Sequence, residues 1–322
     1  MQPDPGKRLS AEVSMKTAPA PFPGFVQFVQ GHDALVAPPW VHELFEIPID
    51  LQEHAGDVAT TVSHGTDACL ISVRVSHAAS LDPDAFERAT VCAYNTIHQH
   101  LGKHHPVRFW NHIPAIHAVM DSERDRYMVF NAGRFKAFES WYGSTAAFSR
   151  HVATASGVGH AGRDLVVHCL GTKEPGIAIE NPRQIASYRY SRRYGPLPPC
   201  FARATTVKTA RHLRGLALIG GTASIRGEDS IHLDSLSLQL EETFENLAQL
   251  VVAARTAARQ QDASAALGQY RYLRIYYRRQ QDVAAILDAV QSSFASLRGA
   301  ELIQAELCRA ELLVEIEGVA QL

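Results

Sequence analysis

Two glutamates near the end of the chain have a spacing that can support acid catalysis. Glu315 and Glu317 lie two residues apart in the apolar stretch LLVEIE, which is typical of a strand, so both carboxylates point to the same face. Repulsion between the two carboxylates, together with loss of solvent, raises the pKa of one of them and prepares it to act as a general acid. The alternative interpretation is an exposed edge strand with solvated glutamates.

A second candidate is the segment 179–203, whose composition suits the binding of an anion. It holds three tyrosines, five arginines and four prolines. A loop stiffened by proline can carry aromatic and guanidinium groups into a cleft. The alternative is a surface loop whose arginines are solvated.

Other signals of chemistry are weak. The G-x-G-x-x-G pattern at residues 157–162 resembles a dinucleotide fingerprint, but a predicted strand follows it where a helix should begin. Four histidines within residues 98–105 straddle the helix stop at Gly102, so no pair has a fixed metal-ligand geometry. No G-x-S-x-G elbow is present. The sequence therefore predicts no nucleotide, no metal and no covalent nucleophile.

The composition sets the class of protein. Of the 322 residues, 46% are hydrophobic and 20% are charged, which supplies enough apolar material for a large core. The formal net charge of −2 comes with scattered basic residues, so nucleic acid is not an expected partner. No apolar stretch approaches the ~18–20 residues that span a bilayer, so no membrane segment is expected. Five widely spaced cysteines predict free thiols, which favours a cytoplasmic location.

Strands and helices alternate through the first half of the chain. Cys69–Val75 is rich in β-forming residues, and Asp82 followed by proline predicts a helix that ends at Gly102. Val107–Ile113 predicts another strand. A second helix is predicted over Gly133–Trp141.

The second half repeats this plan. Strands are predicted at Leu165–Leu170, Leu216–Ile219, Tyr270–Arg278 and Leu312–Glu317. Apolar residues from Leu240 to Ala254 recur every three or four positions, which predicts a helix with an outer face that carries Glu241, Glu242 and Glu245. Asp282 is predicted to cap the last helix.

Several stretches resemble the chorismatase family, the enzymes that remove pyruvate from chorismate. They are IENP, YGPLPPCFARAT, IGGTASIRG and LLVEIEGVA, with weaker agreement in RYMVFNAGR, and together they cover most of the chain from about Tyr94 onward. The resemblance implies an α/β (α+β) fold of two fused YjgF/RidA-like halves, each a mixed sheet with helices packed on one face. We place a flexible leader at residues 1–22, the N-terminal half at residues 23–160 and the C-terminal half at residues 161–322.

The resemblance also implies roles for individual residues. The general acid of the family falls on Glu315, and its substrate-contacting residues fall on Tyr127, Arg134, Tyr190 and Arg203. Chorismate is a dianion, so two arginines can clamp its two carboxylates while tyrosine hydroxyls hold the ring. An enol ether is cleaved after protonation of its methylene carbon, so the reaction requires an acid and no cofactor.

Two further positions bear on the product. Gly221 and Cys308 resemble the branch of the family that makes 3-hydroxybenzoate, in which a glycine leaves space for the ring and a thiol shapes the wall or assists proton transfer. We therefore expect chorismate to be converted to pyruvate and 3-hydroxybenzoate, with 4-hydroxybenzoate as a possible co-product. The alternatives are a hydrolytic chorismatase that gives 3,4-dihydroxycyclohexa-1,5-dienoate, a YjgF/RidA-like binding or imine-processing protein, and a scaffold without activity.

Overall fold

The computed structural model describes residues 25–45, 49–207, 215–259 and 265–322. The predicted leader at residues 1–22 lies outside the described residues. The strands are β1 (Phe25–Val29), β2 (Ile49–Ala55), β3 (Val58–His64), β4 (Ala68–Val75), β5 (His105–Pro114), β6 (Thr154–His160), β7 (Leu165–Thr172), β8 (Ile177–Ile179), β9 (Ala204–Val207), β10 (Leu216–Thr222), β11 (Ile225–Arg226), β12 (Asp229–Ser230), β13 (Tyr270–Tyr277), β14 (Gly299–Gln304) and β15 (Val314–Gln321). The α-helices are α1 (Pro39–Phe45), α2 (Pro83–Leu101), α3 (Arg126–Tyr142), α4 (Phe148–His151), α5 (Leu236–Ala257) and α6 (Val283–Ser293).

Two β-sheets pack face to face between two layers of helices. The first sheet has the strand order β2-β3-β4-β7-β5-β6, and the second has the order β1-β14-β13-β15-β10-β9-β8. Helices α2 and α3 pack on the outer face of the first sheet, and α5 and α6 pack on that of the second. The inner faces meet through apolar side chains such as Leu70, Trp110, Leu218 and Val319. Each sheet mixes parallel and antiparallel pairs, so the predicted fold class is confirmed.

The division of the chain between the sheets differs from the predicted boundary at residues 160 and 161. Strand β7 belongs to the first sheet, where it pairs antiparallel with both β4 and β5, and all of its residues are buried. Strand β1 joins the second sheet, parallel to β14. The chain therefore passes from one sheet to the other between Thr172 and Ile177, because β7 has apolar side chains for both faces of the first sheet and fills its centre.

Capping residues set where the first two long helices begin. Asp82 accepts a hydrogen bond from the Ala85 N–H and starts α2, which ends at Gly102 as predicted. Helix α3 begins at Arg126 instead of Gly133, because the Asp125 side chain accepts from the Met128 N–H. The same cap fixes the position of the first turn, which carries part of the site described below.

The environments of two acidic residues in the second half, Glu242 and Asp282, differ from those predicted. Glu242 was placed on the solvent face of α5, but it is buried and pairs with Arg183 and Arg226. Asp282 precedes α6 without a capping hydrogen bond, because its carboxylate pairs with Arg279. In both cases an arginine supplies a charged partner for the carboxylate, distant in the chain for Glu242 and three residues away for Asp282.

Strand β15 lies inside the second sheet, between β13 and β10. Glu315 and Glu317 therefore lie on a central strand, and the exposed-edge interpretation is wrong. The G-x-G-x-x-G pattern overlaps strand β6, with its first two glycines inside the strand. None of the helices in the described ranges is long and apolar enough to cross a membrane.

Candidate active site

A cavity of about 290 Å³ opens beside the ends of β6, β10 and β15. Its lining includes every residue predicted for the site: Tyr127, Arg134, Tyr190, Arg203, Gly221, Cys308 and Glu315. Tyr127 and Arg134 come from α3, about two helical turns apart and therefore on one side of that helix. The other predicted residues come from the second half of the chain, so the two halves build one cavity together.

Glu315 has the properties of a general acid. Its side chain is only 4% exposed, and burial raises its pKa to about 8, with repulsion from Glu317 acting in the same direction. Arg108, Cys308 and Arg203 oppose this shift, and the Cys308 thiol lies 3.8 Å from Glu315 Oε2. The carboxyl group therefore carries its proton at neutral pH and faces the cavity.

Glu317 is held in a different environment from its neighbour. Its carboxylate accepts hydrogen bonds from Arg108 (2.8 Å), Trp110 (2.7 Å), Tyr276 (3.3 Å) and Ser156. These donors come from strands of both sheets, and Glu317 does not line the cavity. These donors hold the Glu317 carboxylate in place, and its charge acts on Glu315 from two residues along the same strand.

The space beside Gly221 is filled by the Glu315 carboxyl group. A Cβ atom added to Gly221 would lie 1.9 Å from Glu315 Oε1 and 2.8 Å from its carboxyl carbon. The sequence argument had reserved this space for the substrate ring. In the structure the glycine instead allows the acid to approach the backbone of β10.

Two buried guanidinium groups face the cavity without an anionic partner. Arg203 donates to Tyr190 Oη (2.5 Å) and to the Ile185 carbonyl (3.1 Å), and Arg134 donates to Asn131 Oδ1 (2.8 Å). Each retains an Nε–H without a partner, and within the described ranges neither forms a salt bridge, although the charge of the buried Glu180 acts on Arg203. Since buried charges are costly unless they are paired, this arrangement favours a ligand that brings two anionic groups.

Arg309 and Ser156 are two polar residues of the cavity wall that sequence reasoning missed. The Arg309 guanidinium lies 4.0 Å from the centre of the Tyr194 ring, and it follows Cys308 directly in the chain, which was a usable signal. Ser156 lines the cavity from β6, and a single serine in a strand carries no such signal. Its neighbours become apparent only when the two sheets are brought together.

Comparisons with known proteins point to one family. Residues 48–171 match the family model described as chorismatase FkbO/Hyg5-like, N-terminal. A 3-hydroxybenzoate synthase of Streptomyces hygroscopicus is 33% identical over 240 residues, which cover 73% of this chain and 69% of that protein. A chorismatase of Streptomyces rapamycinicus is 26% identical over 213 residues, covering 66% of this chain and 63% of that protein.

One solved structure matches most of the fold. The crystal structure of a chorismatase superimposes with a TM-score of 0.73 and 24% sequence identity, covering 84% of this chain and 80% of that one. That likeness concerns the arrangement of the two sheets and their helices. With the 33% identical relative, which is matched over more than two thirds of its length, it leads to one conclusion: this chain belongs to the chorismatase family.

Proposed function

We propose that this protein converts chorismate to pyruvate and 3-hydroxybenzoate, with Glu315 as the general acid. The observation that carries the proposal is a buried carboxyl group, whose pKa is raised to about 8, in the same cavity as two guanidinium groups that form no salt bridge in the described ranges. The similarity to a protein named 3-hydroxybenzoate synthase supports the choice of substrate and product.

The cavity provides groups that complement each part of the substrate. Chorismate carries a carboxylate on its ring and another on its enolpyruvyl side chain, which match Arg134 and Arg203. Tyr190 is held in place by its hydrogen bond with Arg203, and the Tyr127 ring packs beside Gly157 in the same wall. These contacts orient the enol ether toward the acid.

Glu315 starts the reaction by giving its proton to the methylene carbon of the enolpyruvyl group, which produces an oxocarbenium ion. The neighbouring ring hydroxyl then attacks the ring carbon that carries the ether oxygen and loses its proton, while the bond between that carbon and the ether oxygen breaks and releases pyruvate. The attacking oxygen next separates from its original ring carbon and takes up a proton. Loss of the proton on the ring carbon that now carries this oxygen gives 3-hydroxybenzoate, and the two protons released balance the one given by Glu315 and the one taken up by the oxygen. Pyruvate and 3-hydroxybenzoate together contain all the atoms of chorismate. The conversion therefore needs no oxidant, reductant or added water.

Cys308 contributes to this route as a neutral group. Burial raises the pKa of its thiol to about 12, so no thiolate forms at neutral pH. A protonated thiol beside Glu315 Oε2 can donate a weak hydrogen bond and narrow the cavity. Both effects keep water from the oxocarbenium ion, which favours the internal route over hydrolysis.

The test is to incubate the purified protein with chorismate and no added cofactor in ¹⁸O-labelled water. We expect 3-hydroxybenzoate together with pyruvate whose keto oxygen does not come from the solvent. A control with added pyruvate measures the slow exchange of this oxygen with water. Formation of the non-aromatic dihydroxy acid with labelled pyruvate would establish the hydrolytic alternative. Absence of pyruvate would contradict the proposal.

The rate should depend on pH through Glu315. The acid must carry its proton, so kcat for pyruvate release is expected to be highest at low pH and to fall as the pH rises through about 8.

The same raised pKa affects the free energy of unfolding. The stabilisation from protonated Glu315 is fully present below the ordinary pKa of 4.5, and it is lost as the pH rises through about 8. Initial rates and unfolding free energies measured across this range test both statements.

Replacing Gly221 with alanine is expected to slow pyruvate release by about 10²-fold, because the added methyl group forces the Glu315 carboxyl out of its position. Cys308→Ala leaves that position unchanged and should retain most of the rate while it increases the share of hydrolytic product. Both variants are assayed for pyruvate and for the ring product by chromatography. An alanine at position 221 that changed only the product ratio would return Gly221 to the role of accommodating the ring.

A further inference from the structure

Ser156 occupies a point where hydrogen-bond donors of both sheets meet. Its hydroxyl group is buried, with the residue only 4% exposed. The Oγ atom accepts from Arg108 Nη2 (2.5 Å) and from the Gly221 N–H (2.9 Å), and it donates to Glu317 Oε2. All three hydrogen-bonding positions of the hydroxyl group are therefore used.

The donors that Ser156 engages lie close to the acid. The position of a Cβ on Gly221 is 1.9 Å from Glu315 Oε1 and 3.3 Å from Ser156 Oγ, so both groups converge on this residue. An N–H that donates to a carboxylate favours its charged form and works against a general acid. Ser156 accepts the Gly221 N–H and leaves Glu315 without that donor.

We propose that Ser156 is a positioning residue that keeps the Gly221 N–H and the Arg108 guanidinium away from Glu315. The same hydroxyl group ties Arg108 to Glu317, so that the positive charge is matched by Glu317. The inference rests on the proposed function of Glu315 and adds to it the residue that preserves the proton. No role for a serine at this position follows from the sequence.

Five groups from several elements act on Glu315. They are Glu317 on the same strand, Arg108 on β5, Tyr127 on α3, and Cys308 and Arg203 on the loops around the cavity. Of these, only Glu317 and Arg108 contact the serine hydroxyl group. Removing that hydroxyl therefore changes the hydrogen bonding of the charged groups of Arg108 and Glu317. It leaves the substrate-binding side chains in place.

The test compares Ser156→Ala with Ser156→Thr, which retains a hydroxyl group on a residue suited to a strand. In the alanine variant the freed donors turn to Glu315, so the fall of kcat with rising pH should begin at lower pH. When this midpoint falls by one pH unit, the protonated fraction of Glu315 falls about tenfold at pH values well above the parent midpoint. For a decrease of one pH unit from a parent midpoint of about 8, we expect a rate about twofold below the parent at pH 7 and about tenfold below it at pH 9, recovery of nearly all of it in acid, and a near-parental profile for Ser156→Thr.

A second measurement requires no turnover. The carbonyl stretch of a protonated carboxyl group, assigned by comparison with Glu315→Gln, is followed by infrared difference spectroscopy as the substrate-free protein is titrated. This band should disappear at lower pH in Ser156→Ala than in the parent. If the band keeps its midpoint, or if the alanine variant loses rate equally at every pH, the inference is wrong. If instead Glu315→Gln turns over normally, the proposed function of Glu315 fails regardless of the serine variants.

Discussion

Replacing Glu315 with glutamine is expected to reduce kcat for pyruvate release by about 10²–10⁴-fold while chorismate still binds. Glutamine has nearly the same shape as the protonated carboxyl group, so it fits the space beside Gly221, but it has no acidic proton to give. Binding should persist because Arg134 and Arg203 are unchanged. Steady-state rates and calorimetric titration with chorismate measure the two effects separately.

Glu317→Gln is the matched control, because it makes the same change two residues along the same strand. It removes the negative charge that raises the pKa of Glu315, so the pH at which kcat declines should move downward. At low pH this variant should lose much less rate than Glu315→Gln. An equal loss at both positions and at every pH would indicate a shared structural role in place of acid catalysis.

Removing either unpaired guanidinium group is expected to weaken transition-state binding by about 2–5 kcal/mol. Arg203→Ala and Arg134→Ala each leave one substrate carboxylate buried without its partner. Because each of these side chains is at most 5% exposed, solvent supplies little compensation. The measurement is kcat/KM for chorismate, with Arg193→Ala as the control, since Arg193 pairs with Asp229 and does not line the cavity.

Lysine at either position should restore only part of the loss. A guanidinium group presents two parallel N–H donors to a carboxylate, whereas an ammonium group acts as a point charge. Complete recovery by lysine would show that long-range attraction suffices and that no bidentate clamp forms.

Patterns of local sequence determined several helices and strands, among them the strand that carries Glu315 and Glu317. The apolar spacing of α5, the cap and glycine stop of α2, and the alternation in LLVEIE each depend on neighbours within a few residues. Local neighbours in the sequence do not depend on the tertiary fold. These helices and strands, and the common face of Glu315 and Glu317, could therefore be predicted. The choice of site residues relied in addition on the resemblance of longer stretches to a family.

Only the tertiary structure decided what lies opposite each of these faces. Glu315 and Glu317 share a strand face, yet one meets a cavity and a glycine, while the other meets Arg108, Trp110 and Ser156 from the first sheet. The two-residue period of a strand predicts to which face a side chain points. It does not identify a partner that lies some 160 to 210 positions away in the chain. The packing of the two inner sheet faces supplies that information, and it separates the acid from the fixed charge beside it.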